Sequence, residues 1–250
     1  MTSPHRNPQF SALNTALVIF AKAPIPGQVK TRLCPPVTPD EAATLHGSFV
    51  LDTLERTKVA VTKLKLPFDR YLACSPSATH VFFKIMEERH GVTVMDQVGD
   101  DLGARMNQAF ETLFARGYHR VLIIGTDAPT LPIDRLQQTL SLLEHHDLVL
   151  GPAIDGGYYL IALKRAVPEL FSGIPWSTNQ VLTLTQEKAT TLGLQTALLE
   201  PWRDVDTLAD LQALIEASTV DAKQPKNNRV FSNRTAGVLE TLAKRLQSRA

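Results

Sequence analysis

Short apolar segments alternate with helical segments along most of this chain, and this alternation constrains the fold more than any other feature. Apolar runs rich in β-branched residues predict buried strands, and apolar residues at helical spacing predict amphipathic helices. Strands that alternate with helices favour a mostly parallel sheet with helices on both of its faces. The predicted strands cover residues 16–20, 69–75, 92–95, 121–124, 147–152, 158–163 and 195–199.

The clearest helix start lies at residues 38–41. Thr38 can cap the helix, Pro39 suits the first helical position, and Glu41 completes a capping box. The run at 121–124 is the most apolar strand, which predicts a central place in the sheet. Further helices are predicted at about 77–88, from the loop at 99–107 to about 116, and at 134–144, 178–192, 207–215 and 235–249.

The loop after the first predicted strand carries the strongest binding signal. Its cations are Lys22, Lys30 and Arg32, Thr31 adds a hydroxyl group, and Gly27 adds flexibility. Backbone amides, a flexible glycine and several cations at the carboxyl end of a strand suit a ligand that bears phosphate. The loop matches neither the P-loop nor the Rossmann glycine pattern. The alternative is a solvated basic loop that binds nothing, because Lys and Arg are mostly exposed.

Two acidic stretches are candidates for a metal site. Asp127 follows the central strand, and its carboxylate would repel a phosphate unless a divalent cation lay between them. Mg²⁺ or Mn²⁺, shared between one or two carboxylates and phosphate oxygens, solves that problem. Asp204 and Asp206 offer the second carboxylate. The alternatives are a turn-forming role for Asp127 and plain helix capping at Asp206 and Thr207.

A second site feature is the turn at residues 155–157 and the strand that follows it. Gly156 and Gly157 would let the backbone approach a ligand closely. Asp-Gly is also a strong hairpin signal, and both interpretations can hold. If the site transfers a group to a hydroxyl, Asp155 is a candidate base.

Two other side chains have an equally open interpretation. Trp176 could stack on an acceptor ring or anchor the core. Arg105 could reach a phosphate or pair with Asp100 or Asp101.

The totals exclude some classes of protein. The 250 residues suit one large α/β domain or two small ones, and a net charge of +1 gives no overall field that would recruit nucleic acid or a membrane. No apolar run approaches the length of a membrane span. The two cysteines show neither metal spacing nor a disulfide framework, which is compatible with a reducing cytosol, so we expect a cytoplasmic protein.

The two ends of the chain differ from its middle. Residues 1–14 predict a disordered arm that is not a signal peptide. Residues 15–218 predict the main domain, and residues 219–250 a polar linker and an amphipathic helix. That helix could dock on the domain, fray, or pair with a second copy in a homodimer, and we favour docking or fraying.

Six stretches, in this order, carry a family resemblance: residues 20–33, 99–106, 125–131, 151–160, 175–178 and 204–207. They resemble a widespread prokaryotic family of GT-A-type transferases, often called selenodomain-associated or radical-SAM-associated transferases. The resemblance spans roughly residues 16–215, and the tail after about residue 218 lies outside it. It implies the three-layer α/β fold of nucleotide-diphospho-sugar transferases, with a mostly parallel central sheet.

That fold serves two chemistries, and the resemblance leaves both open. Glycosyltransferases displace a nucleoside diphosphate from a sugar, whereas nucleotidyltransferases join a nucleoside monophosphate to an acceptor phosphate and release pyrophosphate. The first loop is also similar to that of 2-phospho-lactate guanylyltransferases, and residues 204–207 resemble the metal-binding segment of sugar-acid cytidylyltransferases. By that analogy Asp127 and Asp206 hold the metal. The chain departs from both patterns. Lys22-Ala23 replaces the Gly-Gly pair that is usual in the first loop of nucleotidyltransferases, and Gly125-Thr126-Asp127 keeps only the second Asp of the Asp-X-Asp found in many glycosyltransferases.

The residues and the resemblance together predict a transferase that depends on Mg²⁺ or Mn²⁺ and takes a nucleotide-activated small-molecule donor and an unidentified acceptor. Glycosyl transfer is the first prediction, nucleotidyl transfer the second, and a nucleotide-binding domain without turnover the third. The predicted catalytic residues are Asp155, Lys30 and Arg32, and the predicted metal ligands are Asp127 and Asp206. The predicted nucleotide-binding residues are Lys22, Gly27, Lys30, Thr31, Arg32, Asp101, Arg105, Gly156, Gly157, Tyr158 and Trp176.

Overall fold

The computed structural model describes residues 14–248, and these build a seven-stranded sheet between layers of helices. The strands are β1 (Thr15–Lys22), β2 (Phe68–Ser75), β3 (Thr93–Asp96), β4 (Arg120–Ile124), β5 (Leu148–Pro152), β6 (Tyr158–Leu163) and β7 (Thr196–Leu198). The helices are α1 (Pro39–Thr62), α2 (Val81–His90), α3 (Leu102–Ala115), α4 (Asp134–Leu142), α5 (Val181–Thr191), α6 (Leu208–Asp221) and α7 (Asn233–Gln247).

The sheet is mostly parallel, as the alternation of strands and helices predicts. Its order is β3-β2-β1-β4-β6-β5-β7, and β6 runs antiparallel to both of its neighbours. The carboxyl ends of β1, β4 and β5 therefore lie at the same edge, where β6 begins. The loops that follow these strands carry the predicted site residues, so this edge is where a ligand of an open α/β sheet is expected to bind.

Helices cover both faces of the sheet, which explains why residues 16–21 of β1 and 121–124 of β4 are apolar at successive positions rather than at alternate ones. On one face the sheet contacts α1, α2 and α4, through residues such as Leu54, Phe83 and Leu140. On the other face it contacts α3 and α5, through Phe110 and Ala189. The predicted three-layer α/β fold is confirmed.

A third apolar cluster lies beside the sheet and joins the first loop to the end of the chain. Leu33 and Val37 of the loop region contact α1, α6 and α7 there, and Leu239 and Leu242 are the buried residues of α7 in it. Arg234 of α7 also pairs with Asp52 of α1, Nη1 to Oδ1 at 2.9 Å. The C-terminal helix is thus packed on the domain.

Local sequence signals locate most element boundaries well. Thr38 and Glu41 form the predicted capping box, and β4 is central and buried throughout. Several boundaries differ, and the two largest differences have a physical explanation. Helix α2 begins at Val81 rather than near residue 77, because residues 77–79 form a turn and His80 caps the helix. Helix α6 continues to Asp221 rather than about residue 215, because its buried face continues to Ser218.

The predicted N-terminal arm, residues 1–14, lies outside the described residues except for Asn14. Within residues 14–248, none of the helices combines the length and the apolar character that crossing a membrane requires.

Candidate functional site

A cleft of about 860 Å³ opens at the carboxyl edge of the sheet. The loops after β1, β3, β4 and β5 line it, together with residues 176–179, Val181, Asp204 and Asp206. The structure brings most of the predicted site residues to this cleft, namely Lys22, Lys30, Thr31, Arg32, Asp101, Arg105, Asp127, Asp155, Gly157, Tyr158, Trp176 and Asp206. Gly27 and Gly156 are not among the residues that line it.

Lys30 occupies the space between the two predicted metal ligands. Its Nζ lies 2.6 Å from Asp127 Oδ1 and donates a hydrogen bond to Asp206 Oδ1 at 2.9 Å. A further hydrogen bond runs to the Val205 carbonyl oxygen at 2.6 Å. The side chain of Lys30 is only 4% exposed, whereas that of Asp127 is 46% exposed. Lys30 therefore differs from the free phosphate-binding cation that the loop predicts, because two nearby carboxylates attract its ammonium inward.

The charges in this group stabilise one another. Burial lowers the pKa of Lys30, but the charges of Asp127 and Asp206 outweigh burial and leave that pKa above its ordinary value. Burial likewise acts to raise the pKa of Asp127, and Lys30 and His46 together bring it below its ordinary value. Lys30 and Asp127 are accordingly both ionised near neutral pH.

Three carboxylates of the cleft lie close enough together to share a cation. One oxygen from each of Asp155, Asp204 and Asp206 lies within 4.8 Å of the others. Burial and the charges of Asp155 and Asp206 raise the pKa of Asp204 to about 7. A cation would relieve this repulsion, and a set of oxygen ligands fits Mg²⁺ or Mn²⁺. Asp206 belongs both to this trio and to the predicted pair with Asp127, which stays a prediction.

Free cations face these acids in the cleft. Lys22 and Arg32 are exposed, and Arg32 Nη1 lies 3.9 Å from Asp206 Oδ2. Arg105 donates from Nε to the Gly99 carbonyl oxygen at 2.9 Å, and it forms no ion pair with a described acidic residue. These guanidinium and ammonium groups border the cleft and have donors that are accessible to phosphate oxygens.

The turn at residues 155–157 is the hairpin turn that Asp-Gly predicts, because it joins β5 to the antiparallel β6. Asp155 Oδ1 accepts a hydrogen bond from the Gly157 amide at 2.9 Å, which forms the turn. Gly156 has a φ of +95°, and a Cβ there would lie 2.1 Å from the Asn179 carbonyl oxygen. The close approach that Gly156 permits in this structure is to the backbone of Asn179. Gly27, with φ +77°, likewise serves its own turn.

Two predicted binding residues also have structural roles. Asp101 caps α3, since its Oδ1 accepts from the Ala104 amide at 2.7 Å. Trp176 lines the cleft and stacks on Phe171, with ring centroids 6.4 Å apart. A Cβ at Gly103 would lie 2.3 Å from the indole ring, so the glycine at this position of α3 leaves the space that Trp176 occupies. The core-anchor interpretation of Trp176 is supported without excluding contact with a ligand.

Sequence reasoning missed His46 and Gln97. His46 is buried in α1, with Nε2 3.0 Å from the Lys22 carbonyl oxygen and Nδ1 4.0 Å from Asp127 Oδ1. Burial lowers its pKa, so the ring is neutral at pH 7. Its helical spacing from Ala42 and Phe49 on the buried face was the available signal. Gln97 Nε2 donates to the carbonyl oxygens of Ala21 and Ala73.

Comparisons with known proteins agree with this fold. Residues 58–178 match the family described as "Uncharacterized protein conserved in bacteria (DUF2064)". A protein of Desulfovibrio desulfuricans G20, described as a "putative nucleotide-diphospho-sugar transferase", is 33% identical over 94% of this chain and 98% of its own, with a TM-score of 0.81. No curated protein matches the chain.

Two more distant structures share the fold alone. A cytidylyltransferase of Leptospira borgpetersenii serovar Hardjo-bovis is 15% identical, over 94% of this chain and 96% of its own, with a TM-score of 0.55. CMP:2-keto-3-deoxy-manno-octonic acid synthetase, complexed with CTP, is 13% identical over 83% of this chain and 99% of its own, with a TM-score of 0.53.

Proposed function

This chain belongs to the bacterial DUF2064 family, and from that premise we propose that it is a metal-dependent transferase that uses a nucleotide-activated donor. Glycosyl transfer from a nucleotide sugar is the preferred form of the proposal. It agrees with the description of the Desulfovibrio relative, which is 33% identical to this chain, as a "putative nucleotide-diphospho-sugar transferase".

One observation carries the proposal: free cations face a group of carboxylates across a large cleft at the carboxyl edge of the sheet. Lys22 and Arg32 supply positive charge on one side, and Asp155, Asp204 and Asp206 supply oxygen ligands on the other. A donor that carries a diphosphate and a divalent cation would satisfy both sets at once. A metal bound by Asp206 with Asp127, or with Asp155 and Asp204, would stabilise the charge on the departing phosphate.

The residues of the chain would divide the work as follows. Lys22, Arg32 and Arg105 bind donor phosphates, and Trp176 borders the space for the acceptor. Asp155 is exposed at the cleft and can take the proton of an acceptor hydroxyl as the new bond to the sugar forms. The buried His46 keeps the Lys22 backbone in place through its contact with the carbonyl oxygen.

Nucleotidyl transfer is the second candidate, and the number of cations in the cleft favours it. A nucleoside triphosphate carries more phosphate charge than a nucleotide sugar, and Lys22, Arg32 and Arg105 together suit the larger charge. In this reaction the cations stabilise charge at the α-phosphate in line with an attacking phosphate, and no base is needed. A domain that binds nucleotide without turnover remains the third candidate.

A thermal-shift panel tests the proposal and separates its forms. Nucleoside triphosphates, nucleoside diphosphates and nucleotide sugars are each added with and without Mn²⁺. A ligand at about a hundred times its dissociation constant stabilises the fold by about 2.7 kcal/mol. A metal-dependent response to one nucleotide sugar supports glycosyl transfer, and a response only to a triphosphate supports nucleotidyl transfer. If no ligand of the panel shifts the melting temperature, neither glycosyl transfer nor nucleotidyl transfer is supported.

The ligand found in that panel then tests Asp127. We expect Asp127→Asn to lose the metal-dependent stabilisation and to melt, without ligand, within a few degrees of the wild type. Asp40→Asn makes the same change at an exposed residue of α1 outside the cleft and should respond like the wild type. Unchanged metal-dependent binding by Asp127→Asn would refute the role of Asp127.

A further inference from the structure

Lys30 is a buried cation in a cleft whose other cations are exposed or half-buried. Its ammonium has three oxygen neighbours within 2.9 Å, from Asp127, Asp206 and Val205. An ammonium group has three N–H donors, so these neighbours leave none for a phosphate. The Phe49 ring, 5.9 Å from Nζ, closes another side. Lys30 thus joins the loop after β1 to the loop after β4 and to residues 205–206.

The position of this ammonium is also the position that a metal shared by Asp127 and Asp206 would need. Nζ lies 2.6 Å from one Oδ1 and 2.9 Å from the other. Mg²⁺ binds carboxylate oxygens at about 2.0–2.1 Å. Two cations cannot both lie between the same two oxygens, because their volumes overlap and their charges repel.

The backbone of Lys30 is in a conformation that a change of partner could relax. Its φ is +49°, in the left-handed region that residues other than glycine rarely adopt. Lys30 directly precedes Thr31 and Arg32, which are exposed in the same cleft.

From these contacts we propose that Lys30 is a placeholder cation, which holds Asp127 and Asp206 together in the free protein and must leave them when a divalent metal binds. This inference rests on the proposed metal-dependent function. A metal alone must displace the ammonium from three good contacts, so it binds weakly. A donor phosphate offers the displaced ammonium a new partner. Metal and donor therefore strengthen each other's binding, and the effect is reciprocal.

Mn²⁺ alone is the probe that tests this coupling. Its affinity is measured by electron paramagnetic resonance of free Mn²⁺, on the full chain without nucleotide. Lys30→Met removes the competing charge and keeps the length of the side chain, so it should raise the affinity for Mn²⁺ about tenfold or more. Lys84→Met removes an exposed cation of α2 that lies outside the cleft. It should change that affinity by less than about threefold.

An equal or lower affinity in Lys30→Met would overturn the placeholder role. That result, together with a metal-dependent nucleotide response of the wild type, would leave the proposed function standing. Failure of both proteins to bind Mn²⁺, with no metal-dependent nucleotide response, would overturn the inference and the metal-dependent function together.

A measurement on the wild type does not depend on how the variant folds. Lysine acetylation is mapped by mass spectrometry with and without Mn²⁺. In the free protein Lys30 should react far less than Lys22, because its amino group is buried. Mn²⁺ should raise the reactivity of Lys30 several-fold as the ammonium leaves the carboxylates. Protection of Lys30 that persists at saturating Mn²⁺ would contradict the proposal.

Discussion

Gly103 has no side chain, and this determines the position of Trp176, which lines one side of the cleft. The residue is buried in α3, and the Trp176 ring fills the space that a methyl group would need, 2.3 Å from the position of a Cβ. Trp176 in turn stacks on Phe171 of the core. The position of this indole thus depends on a residue far from it in sequence.

We expect Gly103→Ala to destabilise the fold by about 1–3 kcal/mol, because the indole must move out of a packed site. The change should also alter the fluorescence of Trp176. Chemical denaturation and emission spectra of the variant measure the two effects.

Gly237→Ala is the matched control, because Gly237 lies within α7 and a Cβ there meets no neighbour within 4 Å. Its higher helix propensity should stabilise the protein by about 0.5–1 kcal/mol. If Gly103→Ala is as stable as the wild type and its tryptophan emission is unchanged, the predicted contact with Trp176 is wrong.

At the scale of elements, the start of α1 joins the first loop to α7 through one carboxylate. Glu41 Oε2 accepts hydrogen bonds from the Thr38 amide at 2.8 Å and from its hydroxyl at 2.9 Å. Its Oε1 pairs with Arg245 Nε of α7. Burial acts to raise the pKa of Glu41, but the bonds from Thr38 and the charge of Arg245 outweigh it and leave that pKa below its ordinary value.

The sign of this shift predicts a dependence on pH. Since the folded protein holds Glu41 ionised more strongly than the unfolded chain does, the stabilisation is present above the unfolded pKa and is lost as pH falls through the folded value. Glu41→Gln should therefore cost about 1 kcal/mol at pH 7, and the difference from the wild type should shrink below about pH 4.

Urea denaturation of the wild type and of Glu41→Gln at pH 7 and at pH 3.5 checks this expectation. Glu88→Gln, at an exposed position of α2, should change stability by less than about 0.5 kcal/mol at either pH. A cost for Glu41→Gln that is the same at both pH values would show that its charge contributes nothing.

At the scale of the whole molecule, the third apolar cluster links the first loop to the C-terminal helix. Leu33 and Val37 are buried there against residues of α6 and α7, including Leu239, which is 1% exposed. The two tryptophans of the chain, Trp176 and Trp202, pack against the clusters on the two faces of the sheet. Their fluorescence therefore reports on the packing of the sheet and not on α7 itself. We infer that α7 and the domain unfold as one cooperative unit.

Leu239→Ala should cost about 2–4 kcal/mol, as the loss of a buried leucine side chain does elsewhere. The unfolding midpoints from tryptophan fluorescence and from far-ultraviolet circular dichroism should decrease together, because both signals report on the same transition. A fluorescence midpoint that stays in place while helical signal is lost earlier would show instead that α7 unfolds separately.

The sequence by itself determined the elements and the chemistry that they carry. The α1 capping box depends on residues 38–41 alone, and the strand at 121–124 is visible as an apolar run, because both signals are local. Parallel strands bring their carboxyl ends to one edge, so the convergence of the basic loop, Asp127 and Asp155 also followed from the order of elements.

Only the tertiary structure decided which of these groups are free and which are paired. Lys30 binds Asp206, which lies 176 positions further along the chain. Gly156 is needed because the backbone of Asn179 lies against it. No local pattern encodes such contacts, because they arise when the packing of separate elements brings distant segments together. The same packing buried Lys30 and left Lys22 and Arg32 open to the cleft.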